Sequence, residues 1–166
     1  MDELYSGVTT GEYKAKYESI DDSDDTQKNY YREFDYGIDT TDNVILIQDE
    51  ITSGLTFDVV SKVRLLKKIN GDISTINILL NSPGGDVIET LALIDFMKTQ
   101  ESEGLKFNII VRGSAMSAAA LLLTCGTGVR AASKHSKIMV HQLSTVAVGK
   151  LSDVKSNARF SEELEN

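Results

Sequence analysis

The sequence is poor in cysteine and in basic residues, and each scarcity excludes a class of protein. The single cysteine, Cys125, cannot form an internal disulfide, so no oxidising compartment is required. Lys and Arg number 17 against 25 Asp and Glu, and the formal charge of −8 disfavours nucleic acid and anionic membrane surfaces, because both attract basic residues. No stretch reaches the roughly 18 apolar residues of a transmembrane helix, and the N-terminus lacks the pattern of a signal peptide. We therefore expect a cytoplasmic protein without nucleic-acid or membrane partners.

Metal and nucleotide sites are not indicated either. The two histidines, His135 and His141, are six residues apart, which is about 20 Å in a fully extended strand. Cys125 has no second thiol with which to build a zinc site. Because no Walker-type phosphate loop is present, we expect no cofactor, and any use of ATP belongs to a partner.

Residues 1–33 differ in composition from the rest of the chain. They are rich in Asp, Glu, Lys, Ser and Tyr, and residues 18–25 carry too little apolar surface to fold by themselves. We predict an acidic, flexible N-terminal arm, the alternative being a docking or pore-gating arm that orders in an assembly. Residues 34–166 are predicted to form one domain.

The remainder alternates between strand-like and helix-like patterns. Four short runs rich in β-branched residues predict buried strands at residues 44–47, 76–80, 107–111 and 137–140. Between them, apolar residues at helical spacing predict helices through Val59, Val63 and Leu66, then Val87, Leu91 and Ile94, and finally residues 118–124. Thr52 or Ser53 is a candidate cap for the first helix. Alternating strands and helices predict an α/β fold with a parallel sheet.

Three of the predicted strands end in segments that can carry chemistry. The second is followed by Asn-Ser-Pro-Gly-Gly-Asp (81–86), the third by Gly-Ser-Ala-Met-Ser-Ala-Ala-Ala (113–120), and the fourth by His141. Sites in open α/β folds form at the carboxyl ends of the strands. If these strands are neighbours, the three segments meet.

Acyl transfer requires a nucleophile, a base and N–H donors for an oxyanion, and these segments contain all three. Ser117 at the N-terminus of a helix is the candidate nucleophile, and His141 is the candidate general base. The N–H groups of Ala118 and Gly85 are the candidate oxyanion donors. Small residues around Ser117 allow the helix to pack tightly beneath the site.

Each of these residues also has an ordinary structural interpretation. A Pro-Gly-Gly sequence is usually a simple turn, a serine before a helix is usually an N-cap, and a histidine that ends a buried strand is more often structural than catalytic. Asp86 is favoured as a cap of the following helix. The combination of segments, rather than any one of them, indicates a catalytic site.

At these residues the chain resembles the Clp protease proteolytic subunit and, more widely, the Clp/crotonase superfamily. The similarity runs from about residue 44 to residue 160. Three blocks carry it: residues 80–85, residues 113–126, and His-Ser-Lys-Ile-Met-Val-His-Gln at 135–142.

The resemblance implies a spiral of repeated β-β-α units in a homo-oligomeric ring. It implies a serine endopeptidase that hydrolyses unfolded polypeptides supplied by an ATP-driven AAA+ unfoldase. By motif position Ser117 is the nucleophile, His141 the base, and Gly85 and Ala118 the oxyanion donors. Residues implied to bind substrate are Gly84, Gly85, Asp86, Val87, Leu143, Ser144 and Thr145.

The chain also departs from the family pattern. The family's triad acid lies several dozen residues beyond the histidine, whereas this sequence stops at Asn166. The carboxylates after His141 (Asp153, Glu162, Glu163 and Glu165) fall in the segment that corresponds to the family's projecting handle, so we expect none of them to reach it. Loss of the acid costs about 10⁴-fold in turnover in well-studied triads. The chain is therefore interpreted either as part of a longer protein or as a shortened, weak or inactive subunit.

Residues 143–146, Leu-Ser-Thr-Val, are a further departure, because the family carries Pro-Leu-Gly-Gly there. The change is compatible with strand pairing to a peptide, but it replaces the family's sequence at the strand that normally contacts the opposite ring.

The sequence is also compatible with other functions. A structural or regulatory ring subunit would retain the fold without hydrolysis. A crotonase-like acyl-CoA enzyme would also use two N–H donors but has no need of a serine at position 117. A phage-type head-maturation protease is a further alternative, and a membrane-associated signal-peptide peptidase lacks support from any membrane segment.

Overall fold

The structure is a computed structural model that describes residues 35–142 and 150–165. The predicted arm at residues 1–33 lies outside the described residues. In chain order the elements are β1 (Ile38–Asp39), β2 (Val44–Ile47), α1 (Ser53–Asn70), β3 (Thr75–Ser82), α2 (Val87–Ser102), β4 (Lys106–Met116), α3 (Ala118–Cys125), β5 (Arg130–Ala132), β6 (Lys137–Met139) and α4 (Leu151–Glu165).

Within the described residues, six strands form one mainly parallel sheet in the order β1-β2-β3-β4-β5. β6 also pairs with β4, beyond the end of β5, so two short strands share the same edge of β4. The predicted α/β class, with parallel pairing of neighbouring strands, is confirmed. The strands β1 and β5 were not predicted. The strand predicted at residues 137–140 is observed as β6, but the prediction that it is buried is wrong, because Ile138 and Met139 are exposed at the edge of the sheet.

The sheet has one fully buried face and one partly covered face. In-register residues of β2, β3 and β4 alternate between the two faces. The buried face belongs to the core that the helices complete, and its central residues are completely inaccessible to solvent. The buried row consists of Ile45, Ile78 and Ile109, and the half-buried row on the other face consists of Leu46, Leu79 and Ile110.

Helix α1 follows its sequence pattern. Thr52 caps it by accepting the N–H of Leu55 at 3.3 Å, which satisfies one of the free donors of the first turn. Val59, Val63 and Leu66 are buried as predicted.

Helix α2 lies where it was predicted, but its buried face is rotated from the predicted one. Ile94 is buried, Val87 is only half-buried, and Leu91 is 37% exposed. The buried face includes two polar side chains, and both are hydrogen-bonded: Thr90 donates to a backbone carbonyl at the start of the helix, and Gln100 accepts from a lysine of α1. A search for apolar residues alone overlooks such positions. The buried residues of α2 are Thr90, Leu93, Ile94, Met97 and Gln100.

Among the described residues, no helix combines the length and the apolar character that crossing a bilayer requires.

Candidate active site

The loop that follows β3 is held in place by backbone bonds on one side and by a serine on the other. The N–H of Ile51 donates to the carbonyl of Gly84 at 2.8 Å, and the carbonyl of Ile51 accepts the N–H of Asp86 at 2.9 Å. The buried Ser82 hydroxyl accepts the N–H of Gly84 at 3.1 Å. These bonds leave the peptide N–H of Gly85 unused and fix its position.

Ser117 forms a strained corner between β4 and α3. Its backbone angles are φ 54° and ψ −126°, a conformation that only glycine adopts without cost. For another residue such a conformation costs about 1–3 kcal/mol, and it persists only where the surrounding structure enforces it. Ser117 occupies the N-cap position, but its hydroxyl makes no capping hydrogen bond. The capping interpretation of Ser117 is therefore wrong, and the hydroxyl is not committed to stabilising the helix.

The loop and the serine corner are in direct contact at Gly84. A Cβ atom on Gly84 would lie 2.6 Å from the carbonyl oxygen of Met116, 2.7 Å from Cβ of Ser117 and 3.1 Å from the backbone nitrogen of Ala118. No side chain fits in this space, and the φ of Gly84 is +100°. Glycine at this position is what allows the second and third predicted segments to meet.

The two predicted oxyanion donors lie on the two sides of this contact. Ala118 is the first residue of α3, where a backbone N–H has no partner within the helix. Within the described part of the chain, neither its N–H nor that of Gly85 donates a hydrogen bond. Two unused donors beside an uncapped hydroxyl form a geometry suited to holding a developing negative charge.

The segment that leads to His141 is bonded to the serine corner through β6. The N–H of Ser117 donates to the carbonyl of Met139 at 2.8 Å, and His141 follows two residues later. The side chain of His141 is exposed, and no hydrogen bond joins it to the Ser117 hydroxyl in this structure. Hydrogen bonds between catalytic groups are often long without substrate.

The other residues predicted to bind substrate are placed differently. Asp86 caps α2, its Oδ1 accepting the N–H of Glu89 at 3.1 Å, which confirms the favoured interpretation of this carboxylate. Val87 packs against the core. A contact of either residue with substrate stays a prediction. The remaining three (Leu143, Ser144 and Thr145) lie outside the described residues.

Two residues near the site received no role from the sequence. Asn81 and Ser136 hydrogen-bond to the end of β4 from opposite sides. Asn81 belongs to the segment (81–86) that was predicted to follow the second strand, so its position was a signal. Ser136 offered none beyond its nearness to His141.

The residues 35–142 and 150–165 contain no group of three His, Cys, Asp or Glu side chains placed to hold a metal ion.

This mixed α/β sheet, with its catalytic candidates at the carboxyl ends of adjacent strands, is consistent with the Clp/crotonase type of fold. A family model described as Clp protease matches residues 31–166. The chain belongs to the Clp protease family.

Similar proteins carry the same family name. An ATP-dependent Clp protease proteolytic subunit 2 of Chlamydia trachomatis serovar D is 35% identical over 118 residues, which cover 70% of this chain and 56% of that protein. A subunit 2 of Frankia casuarinae is 32% identical over 131 residues, 75% of this chain and 58% of the relative. A subunit 1 of Shouchella clausii is 36% identical over 114 residues, 68% of this chain and 57% of the relative. The matched region thus spans less than three fifths of each relative's length.

Proposed function

We propose that this chain is a serine endopeptidase subunit that hydrolyses peptide bonds of unfolded polypeptides. The observation that carries the proposal is the backbone of Ser117, which is held in a costly conformation while its hydroxyl remains uncapped. Strain of this kind at a strand-to-helix turn is how serine hydrolases expose a nucleophile.

The proposed chemistry has two stages. The Ser117 Oγ attacks the carbonyl carbon of the peptide bond while His141 takes the hydroxyl proton. The carbonyl oxygen becomes an oxyanion held by the N–H groups of Gly85 and Ala118, and removing one such donor typically costs about 10²–10³-fold in rate. His141 then protonates the departing amine, leaving an acyl group on Ser117. A water molecule, deprotonated by His141, releases the acyl group as a carboxylate and restores the serine.

We further propose that the subunit works in the cytoplasm within a homo-oligomeric ring, supplied by an AAA+ unfoldase. Support comes from family membership and from the relatives' names, which specify ATP-dependent proteolytic subunits. The proposed chemistry uses only Ser, His and backbone groups, so neither a metal nor a cofactor takes part in it.

A hydrolysis assay on an unfolded, fluorescently labelled polypeptide tests this function. The chain is expected to release small fragments, and Ser117→Ala is expected to abolish their release. Ser61→Ala is the matched control, because Ser61 is a helix-surface serine that bonds only to a carbonyl of its own helix. Equal hydrolysis by the Ser117→Ala protein would contradict the proposal.

A second candidate function is a ring subunit that binds its neighbours without hydrolysing substrate. The observation that favours it is that no carboxylate among residues 35–142 and 150–163 pairs with His141. A folded, oligomeric chain that releases no fragments and reacts with no serine probe would select this candidate.

A further inference from the structure

The strands β3 and β4 lose their one-to-one pairing just before the site. Leu80 pairs with Val111, but Ser82, two residues later, pairs with Ala115. A single residue of β3, Asn81, therefore faces three residues of β4 (112–114). Such a bulge redirects the strand and leaves backbone N–H and carbonyl groups without their usual ladder partners.

The side chain of Asn81 takes the place of the missing strand partner. Its Oδ1 accepts the N–H of Ser114 at 2.9 Å and the hydroxyl of Ser114 at 3.1 Å. A Cβ atom on Gly113 would collide with this oxygen, so a glycine at 113 is needed for the amide to approach. Asn81 thus binds the bulge from the β3 side, next to the loop that presents Gly85.

Ser136 binds the same bulge from the other side. Its hydroxyl donates to the carbonyl of Val111 at 2.9 Å and accepts the N–H of Gly113 at 3.3 Å. Ser136 directly precedes β6, the strand that leads to His141. The bulge is therefore tied both to the segment with the predicted oxyanion donor and to the segment with the predicted base.

We propose that Asn81 is a positioning residue for Ser117. Its amide oxygen holds the bulge of β4 in the one conformation that delivers Ser117, three residues beyond Ser114, between the Gly84–Gly85 loop and β6. Asn81 acts through the backbone and does not touch the substrate. This role rests on the proposed function, because Ser117 is the group that it positions.

The role predicts a larger effect on reactivity than on stability. The side chain of Asn81 is exposed, and hydrogen bonds of exposed groups add little to stability because water replaces them. Reactivity is more sensitive, because displacing a reacting group by about 1 Å can cost about 100-fold.

The test is the second-order rate of Ser117 labelling by a fluorophosphonate, measured on the full chain and on three variants, with urea unfolding followed in parallel. Asn81→Ala is expected to slow labelling by about 10- to 100-fold. Asn81→Asp keeps an oxygen acceptor of the same shape, and we expect its rate to stay within about threefold of the unsubstituted chain.

The matched control is Asn108→Ala. Asn108 also accepts a backbone N–H in the same sheet, from Val129 at 2.7 Å, but it lies near the opposite end of β4. We expect Ser117 of the Asn108→Ala variant to be labelled at the rate of the unsubstituted chain.

The outcomes distinguish the proposed function from the positioning role of Asn81. An unlabelled unsubstituted chain would overturn the proposed function and the positioning role with it. If that chain is labelled, three results overturn the positioning role alone: normal labelling of Asn81→Ala, equal slowing in Asn108→Ala, or no recovery in Asn81→Asp.

Discussion

Replacement of Gly84 by alanine tests whether the close contact between the loop and the serine corner matters. The new methyl group would stand 2.6 Å from the carbonyl oxygen of Met116 and 2.7 Å from Cβ of Ser117. Ordinary contact begins at 3.4 Å, so the two segments must separate by about 0.8 Å. Overpacking of this kind costs about 1–3 kcal/mol, and the positive φ adds about 1–2 kcal/mol for any residue with a Cβ.

Gly104→Ala is the matched control for this change. The φ of Gly104 is +97°, close to the +100° of Gly84, but a Cβ there meets nothing within 4 Å. Gly104→Ala should therefore lower the free energy of unfolding only by the backbone contribution of about 1–2 kcal/mol. The difference between the two variants isolates the steric contact at the site.

Two assays compare Gly84→Ala with Gly104→Ala. Urea unfolding should show Gly84→Ala to be less stable than Gly104→Ala by about 1–3 kcal/mol. Fluorophosphonate labelling of Ser117 should be slowed about 100-fold in Gly84→Ala, because the corner moves by nearly 1 Å, and should be normal in Gly104→Ala. Equal stability and normal labelling of both variants would refute the close contact and the site built upon it.

Two further predictions concern the helix that follows the loop. Asp86→Ala should lower stability by about 1 kcal/mol through loss of the α2 cap, whereas Asp86→Ser should retain most of it; identical unfolding midpoints for all three proteins would contradict the capping role. Leu93→Ala should cost about 2–5 kcal/mol, because Leu93 is completely buried. Leu91→Ala on the same helix should cost less than about 1 kcal/mol, because this leucine is 37% exposed. The reverse order in urea unfolding would show that the buried face of α2 has been assigned wrongly.

The sheet could be predicted because the composition of its central strands is typical of buried strands. The runs at 44–47 and 107–111 are mainly apolar and rich in β-branched residues, and they lie within strands β2 and β4. Buried parallel strands require such runs. Helix α2 was predicted less well, because its buried face includes polar residues. Thr90 donates to the Asp86 carbonyl one turn earlier, and Gln100 accepts a hydrogen bond from Lys67 of α1, which is remote in sequence.

The contact between the two segments of the candidate site could be predicted, but their conformation could not. The meeting of the Gly84–Gly85 loop with Ser117 followed from their places at adjacent strand ends. The strain at Ser117 did not, because a serine before a helix normally caps it. The role of Asn81 depends on a three-against-one bulge, and pairing register is a property of two strands rather than of either sequence.

The most direct test of the account is to map the serine that reacts with a fluorophosphonate by mass spectrometry of the intact and digested chain. We expect one adduct, on Ser117, which is absent from Ser117→Ala and forms at least about 100-fold more slowly in His141→Ala. An adduct on a different serine, no adduct at all, or a rate indifferent to His141 would contradict it.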